Sequence, residues 1–551
     1  MKYINIKLNK CKALSYGLLI SATMLTVSCN MERNPLASFS EDTFWTSEDN
    51  AMIALTGMYR GTLSYGVDYG VSDWWGYSAT IIVDGVSDLG YDRRAFNNVM
   101  GKLTSGGILP TNGLVTSFWK NSYKRIEIAN RFLENIDKVP MSKTTIERMK
   151  SEARFIRACQ YFYLASYFGD TPLVTKLLPL EEANSVKKAP KAEVLNFVIN
   201  EFTDIAPLLP RQKDIPKSEI GRACGQAAYS FLGKAQVLAK NWKAAAASFK
   251  KIIDFGDSEI APKYAELFYA ANENSTENIF STQYIDNLGG NGLPQHAYPV
   301  MKGGWCLVNP ASGLVEEYEF KDGTPFSYTD SRYDPMNIGK NRDPRLDYTV
   351  YYNGASFKGS TYECDPSSTT SLDKIGAGQV TQTGYLMRKF FDEGWSGDVG
   401  SYGANIPIVR YSDVLLMYLE CELEAGTAIS QTMLDMTINK IRSRADVQMP
   451  PITDTDPTIL REKIRHERKI ELAFEGHRLW DLFRWGIAEK ELNKDIYGAP
   501  FPYVKNQKLI KKKGGVADPY SRWYVNKRAF KTGQEIWPVP QAEQNINPNL
   551  R

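Results

Sequence analysis

The chain has 551 residues, of which 43% are hydrophobic and 23% charged, with a formal net charge of +3. Four of the basic residues, Lys2, Lys7, Lys10 and Lys12, fall in an acid-free stretch of 28 residues, and the remainder carries 62 basic against 63 acidic residues. So neutral a surface gives no electrostatic reason to expect nucleic acid or an anionic bilayer as partner.

The N-terminal stretch has a basic start, a short apolar run from Ala13 to Val27, and then Ser28-Cys29. A run of about fifteen residues is too short to span a bilayer comfortably, and a small residue before a cysteine is a cleavage pattern. The pattern resembles a lipobox, with Thr26 where leucine is usual. Residues 1–28 then read as a lipoprotein signal peptide, Cys29 as the lipidated first residue, and 29–40 as a polar tether. Lipid at Cys29 would attach the chain to a membrane without a transmembrane helix. Beyond it remain Cys159, Cys224, Cys306, Cys364 and Cys421. An odd number without CxxC spacing argues against a disulfide framework and a zinc site. Cys159, Cys224 and Cys421 lie in apolar helical stretches, as small buried hydrophobes.

Thr46-Ser47-Glu48-Asp49 reads as a capping box before a helix holding Ala51, Leu55 and Tyr59. Helical periodicity returns at residues 115–139, 146–168, 191–209, 222–239 and 242–255. The last two resemble a tetratricopeptide hairpin, in which Gly233 permits close approach and Ala245 and Phe249 fit the second helix. From 277 to 403 that periodicity fades, Gly, Pro, Asn, Asp and aromatics rise, and loops with short strands are expected. Helices resume at 412–425, 430–444 and 457–488, the last opening on Asp456-Pro457. The expected fold is mainly α: a degenerate tetratricopeptide-like scaffold (41–276), a loop-rich ligand-side insertion (277–405) and a C-terminal region (406–551).

Nothing marks a catalyst. His466-Glu467 suggests a zincin, but Ile470 breaks HExxH, and no GxSxG, Walker A or dinucleotide fingerprint occurs in a suitable setting. Asp84, Asp88 and Asp92 are four apart but fit no EF-hand loop, so they read as turn and capping acids. No enzyme activity, metal or cofactor is expected.

The segment IRHERKIELAFEGHRLWDLFRWG, Ile464 to Gly486, has an apolar side and charges three and four apart, which as one helix could pair along it. Its residue order closely resembles the C-terminal signature of the SusD/RagB family of Bacteroidota. Further segments match in family order. They are Phe44-Trp45 with the capped helix, RIEIANRFLENI, EARFIRACQYFYLASYFGDTPLV, NRDPRL at 341–346, IPIVRYSDV at 406–414 and WPVP at 537–540. The resemblance covers nearly the whole chain beyond Cys29. It implies an outer-membrane, surface-exposed lipoprotein of polysaccharide utilisation. Such a protein binds oligosaccharide and serves as the lid of a SusC-like TonB-dependent transporter. A peptide-binding RagB-type member, a surface glycan-degrading enzyme and a pure tetratricopeptide scaffold are the alternatives.

Sugar capture needs flat apolar faces and a few hydroxyl partners, so aromatics in loops are the candidates. Trp74, Trp75 and Tyr77 stand together in YGVSDWWGYS, and Tyr91 and Arg93 follow in the next loop. Gly303-Gly304-Trp305 places an indole beside two flexible residues, near Tyr298 and His296. The resemblance places the ligand site in these two regions.

Overall fold

The computed structural model describes residues 44–60, 73–94 and 108–551. The signal peptide, Cys29 and the 29–40 tether lie outside the described residues. Helix α1 (Glu48–Arg60) starts on Ser47, whose hydroxyl accepts the Asn50 amide at 3.3 Å. Helix α2 (Tyr77–Gly85) leads into strand β1 (Gly90–Asp92). Helices α3 (Gly113–Asn135) and α4 (Lys143–Tyr167) each open on a polar cap. The Asn112 side chain accepts the Leu114 and Val115 amides, and Ser142 accepts that of Thr145. Then come α5 (Lys191–Ile205), α6 (Gly225–Leu238) and α7 (Trp242–Phe255).

From α3 onward each helix packs on the next, as in a tetratricopeptide stack. The α6–α7 pair closes where the sequence predicts: a Cβ on Gly233 would stand 2.6 Å from the Phe249 ring, so only glycine admits that ring. The five cysteines beyond Cys29 are all unpaired and buried.

The loop-rich half leaves the scaffold through β2 (Asn278–Thr282). Strand β3 (Val308–Pro310) pairs antiparallel with β1, Tyr91 opposite Asn309. The chain returns through β4 (Ile406–Arg410), antiparallel to β2 with Asn278 opposite Arg410 and register shifts in between. Beyond β4 lie α8 (Tyr411–Glu424), α9 (Pro457–Glu471) and α10 (Arg478–Arg484), then the antiparallel pair β5 (Asp495–Pro500) and β6 (Arg522–Lys527). Two hydrophobic cores result. One fills the helical stack; the other lies under the loops, where Ile470, Ala473 and Phe474 enter it.

Two helices expected to be continuous are broken. The 430–444 stretch divides at Thr437 (φ −119°, ψ −101°). The signature segment stops at Glu471 and resumes at Arg478, through Phe474 (φ 63°) and Gly476 (φ 80°). The turn holds because the buried Asp84 carboxylate accepts the Gly476 and Arg478 amides, both at 2.9 Å.

The charges of this segment therefore pair mostly across the molecule, not along one helix. Glu467 meets Arg345 and Arg442, and Glu471 meets Arg345, Arg410 and Arg444. Glu475 meets Arg410 and Lys389, while Glu277 joins Arg410 and Arg444. All of these side chains are buried. The arginines beside them hold Glu467 and Glu475 down at about 2, against the upward push of burial. His466 hydrogen-bonds the Glu317 carbonyl at 2.8 Å, and burial lowers His477 to about 4.

Candidate functional site

The exposed aromatic surface of the loop-rich half begins at Trp305, which is 37% exposed. Its loop is closed tightly upon itself. The Trp305 amide donates to the Gln295 carbonyl at 2.8 Å, and the Leu307 amide to the His296 carbonyl at 2.7 Å. A Cβ on Gly304 would fall 2.1 Å from the Tyr298 carbonyl oxygen, so glycine is required there. The buried Asp373 carboxylate, from a separate segment, accepts the amides of Val300 (2.6 Å) and Met301 (3.2 Å). Cys306 follows at φ 51°, with its thiol raised to about 12 by burial. The indole itself rests against the His296 ring, centroids 5.4 Å apart. It is a ring held in place and partly open to solvent.

A second indole belongs to the adjoining loop. Trp395 is half-buried, donates from Nε1 to Asp286 Oδ2 at 3.1 Å, and meets the Tyr402 ring edge-on at 4.8 Å. Gln295 ties the two loops together. Its amide donates to the Val399 carbonyl at 3.0 Å, and its side-chain nitrogen to the Gly303 carbonyl at 3.3 Å. The Lys358 ammonium lies 5.8 Å from the Trp395 ring centroid and donates to that residue's carbonyl. Burial lowers the Lys358 pKa, opposed by Asp392 and Glu393. Gln295 thus joins the Trp305 loop to the Trp395 loop, and Asp286 and Lys358 hold Trp395, so that aromatic rings and polar groups of the kind that stack a pyranose and pair its hydroxyls lie on adjoining loops.

Most of the aromatics expected at the site lie elsewhere. Trp74 is core: it stacks on Phe118 (4.1 Å), Tyr167 (4.7 Å) and Tyr163 (4.8 Å), and its Nε1 donates to Ser122 at 3.0 Å. Trp75 is core as well, beneath the Arg125 guanidinium at 4.6 Å and edge-on to Phe280. The two occupy a turn before α2, and both side chains are buried. Tyr77 is buried, its hydroxyl 3.3 Å from His296 Nδ1. Tyr91 is buried on β1 and accepts a hydrogen bond from Asn526 at 3.4 Å. Tyr298 is buried edge-on between Phe357 and Phe391. Arg93 is half-buried and donates its amide to the Leu307 carbonyl at 3.0 Å, beside the Trp305 loop. Hence Tyr77 and Arg93 flank that loop from beneath and beside, and Trp305 alone of the expected aromatics presents a face to solvent.

Trp395, Gln295 and Asp286 escaped the sequence reading. A signal was present: Gly394-Trp395-Ser396-Gly397 sets a tryptophan among small residues just as Gly303-Gly304-Trp305 does. The calcium candidates are each committed to protein groups: Asp84 to two amides, Asp88 to Arg478 and Lys469, and Asp92 to Arg94.

Comparison with known proteins identifies the fold. A family model described as "SusD family" matches residues 266–551, and one described as "Starch-binding associating with outer membrane" matches 96–236. The crystal structure of a SusD-like carbohydrate-binding protein from Bacteroides fragilis is 50% identical and superposes with a TM-score of 0.90, over 92% of this chain and all of that one. A surface glycan-binding protein A from Bacteroides thetaiotaomicron, solved with laminarihexaose, shares the fold at 18% identity (TM-score 0.66; 91% and 98% covered). The starch-binding protein SusD of Bacteroides thetaiotaomicron is 23% identical, over 76% of this chain and 75% of its own.

Proposed function

This chain belongs to the SusD family, and on that premise we propose that it captures an oligosaccharide at the Trp305–Trp395 shelf. Delivery is to a SusC-like TonB-dependent transporter of the outer membrane, over which the protein closes as a lid. Lipid on Cys29 holds it at the cell surface. The observation that carries the reading is the Trp305 indole, held by its own loop and open to solvent, with Trp395 on the adjoining loop that Gln295 ties to it. Preorganisation of this kind reduces the ordering cost of binding. Many weak contacts, completed by the transporter, account for a modest affinity of the isolated protein.

Binding without cleavage agrees with the state of the nearby carboxylates. Asp286 is engaged by the Trp395 indole, and Glu393 by Arg388 and Tyr351. The relatives named for carbohydrate or glycan binding point the same way.

The test is a binding screen of residues 30–551 against plant, microbial and host glycans, with Trp305→Ala and Trp395→Ala variants confirmed to fold. Loss of a stacked aromatic should weaken binding about tenfold, equivalent to roughly 1.4 kcal/mol. Undiminished glycan binding by both variants would refute the shelf. Retention of a peptide pool with no glycan bound would favour the RagB-type alternative.

A further inference from the structure

The loop joining β5 to β6 departs from the neutrality of the rest of the chain. Residues 501–521 contain Lys505, Lys508, Lys511, Lys512 and Lys513 against a single acid, Asp518. Lys513 pairs with Asp495, and the Lys511 ammonium donates to the Val525 carbonyl at 2.9 Å. Among the described residues, no carboxylate pairs with Lys505, Lys508 or Lys512. Like charges crowded on one loop repel one another, and among the described residues the Lys513–Asp495 pair answers one of the five.

Beside this loop stands an exposed aromatic, Tyr520, 37% accessible and stacked on Tyr328 with centroids 4.5 Å apart and planes at 20°. Tyr328 is braced edge-on by Phe326 (4.8 Å) and Tyr333 (5.3 Å). The Asp518 carboxylate accepts the Tyr520 amide at 3.0 Å and the Arg522 amide at 3.1 Å, and Ser521 follows at φ 56°. The Trp305 turn is built alike, with an exposed ring, a non-glycine residue of positive φ after it, and a carboxylate gathering loop amides. Both turns also brace residues 373–376. Asp373 holds the Trp305 loop, and a Cβ on Gly376 would stand 3.1 Å from the Trp523 ring of β6.

An exposed ring whose turn is tied to a lysine-rich loop, the Ser521 hydroxyl donating to Gln507 Oε1 at 3.0 Å, matches one kind of ligand. A pyranose stacks its C–H face on the ring, and an anionic substituent meets the lysines. Lipid headgroups would satisfy the lysines too. A membrane anchor, however, projects its ring into the bilayer, whereas Tyr520 lies flat on Tyr328.

We propose that the 501–521 loop and the Tyr520–Tyr328 stack form a second saccharide-binding surface, selective for glycans bearing carboxylate or sulfate groups. This rests on the glycan-capture reading and adds the charge class of the ligand.

The experiment measures binding of residues 30–551 at 50 and 500 mM NaCl to polygalacturonate, its carboxyl-reduced neutral form, dextran sulfate, dextran and phosphatidylglycerol vesicles. The variants are Lys505→Gln/Lys508→Gln/Lys512→Gln, Tyr520→Ala and, for reference, Trp305→Ala. The proposal expects one acidic polymer to bind at least tenfold more tightly than its neutral counterpart at low salt, and that margin to shrink at high salt. The triple lysine variant should lose most of the margin with neutral binding unchanged, and Tyr520→Ala should weaken the acidic polymer at both salts. Acidic binding that ignores the lysines, equal binding of acidic and neutral forms, or lysine-dependent binding to vesicles alone would each overturn it. Failure of the shelf reads differently: Trp305→Ala then has no effect on any glycan, while acidic binding still depends on the lysines. If no acidic polymer binds, this surface is refuted whatever the neutral glycans do.

Discussion

The ionic seam around α9 and the aromatic shelf around Trp305 are opposites in construction. The seam packs Arg345, Arg410, Arg444, Glu277, Glu467, Glu471 and Glu475 out of water between the two cores, each charge answered by others. The shelf has few residues, half exposed, each held by backbone hydrogen bonds of its own loop. Desolvated charges are costly alone and acceptable only as a complete set, so the seam constrains many positions at once. A stacking ring needs only to be placed and left uncovered. The most recognisable part of this sequence is therefore structural, and the part that meets the ligand is a handful of loop residues.

That contrast can be broken most forcefully at the seam. Arg410→Met leaves Glu277, Glu471 and Glu475 short of a partner, and should cost about 3–5 kcal/mol in urea unfolding. Trp305→Ala should move the same curve by less than about 0.5 kcal/mol, as for an ordinary surface change. A seam variant that unfolds like the shelf variant would erase the distinction.

Acid should weaken the seam. Glu467 and Glu475 sit at about 2 in the fold, below the ordinary glutamate value of 4.5. Their stabilisation is complete above pH 4.5 and is lost as pH falls toward 2, on the order of a few kcal/mol. His477, lowered to about 4 from 6.5 by burial, acts in the same direction: its contribution is whole above pH 6.5 and declines toward pH 4. Stability followed by circular dichroism should fall as pH drops from 4.5 toward 2; between pH 6.5 and 4, where the Asp84 carboxyl, raised to about 7 by burial, acts the other way, His477→Gln should be less sensitive to acid than the parent.

Between the two regions stands Asp373, buried yet dedicated to the Trp305 loop. Asp373→Ala leaves the Val300 and Met301 amides without their acceptor, for about 1–3 kcal/mol of stability. It should also weaken glycan binding several-fold although Trp305 is intact, and Asp373→Asn should restore much of the loss. Calorimetric titration of both variants separates positioning from contact. The smallest effect belongs to Trp305→Phe, which keeps a ring of reduced area and should lower affinity two- to threefold, roughly half a kcal/mol.

The scaffold was legible because its determinants are local. The 3.6-residue periodicity, the caps at Ser47 and Asp456, and the Gly233–Phe249 fit are written within a few turns of chain. The order of the signature segment identified the family for a related reason: a buried network tolerates few substitutions. Even so, its break at 472–477 was invisible, since the Asp84 that holds Gly476 and Arg478 lies nearly four hundred residues away.

Exposure of aromatics was another matter. Trp74-Trp75 and Trp305 look alike in sequence, each a tryptophan among small and polar neighbours. Trp74 is covered by Phe118, Tyr163, Tyr167 and Trp537, contributed by α3, α4 and the C-terminal segment, whereas the described residues leave Trp305 37% exposed. The sequence by itself determined the helical elements, their order and the family, because periodicity, capping and the density of charge are properties of short segments. Which rings face the solvent was decided only by the tertiary structure, because burial depends on what distant parts of the chain bring against a side chain.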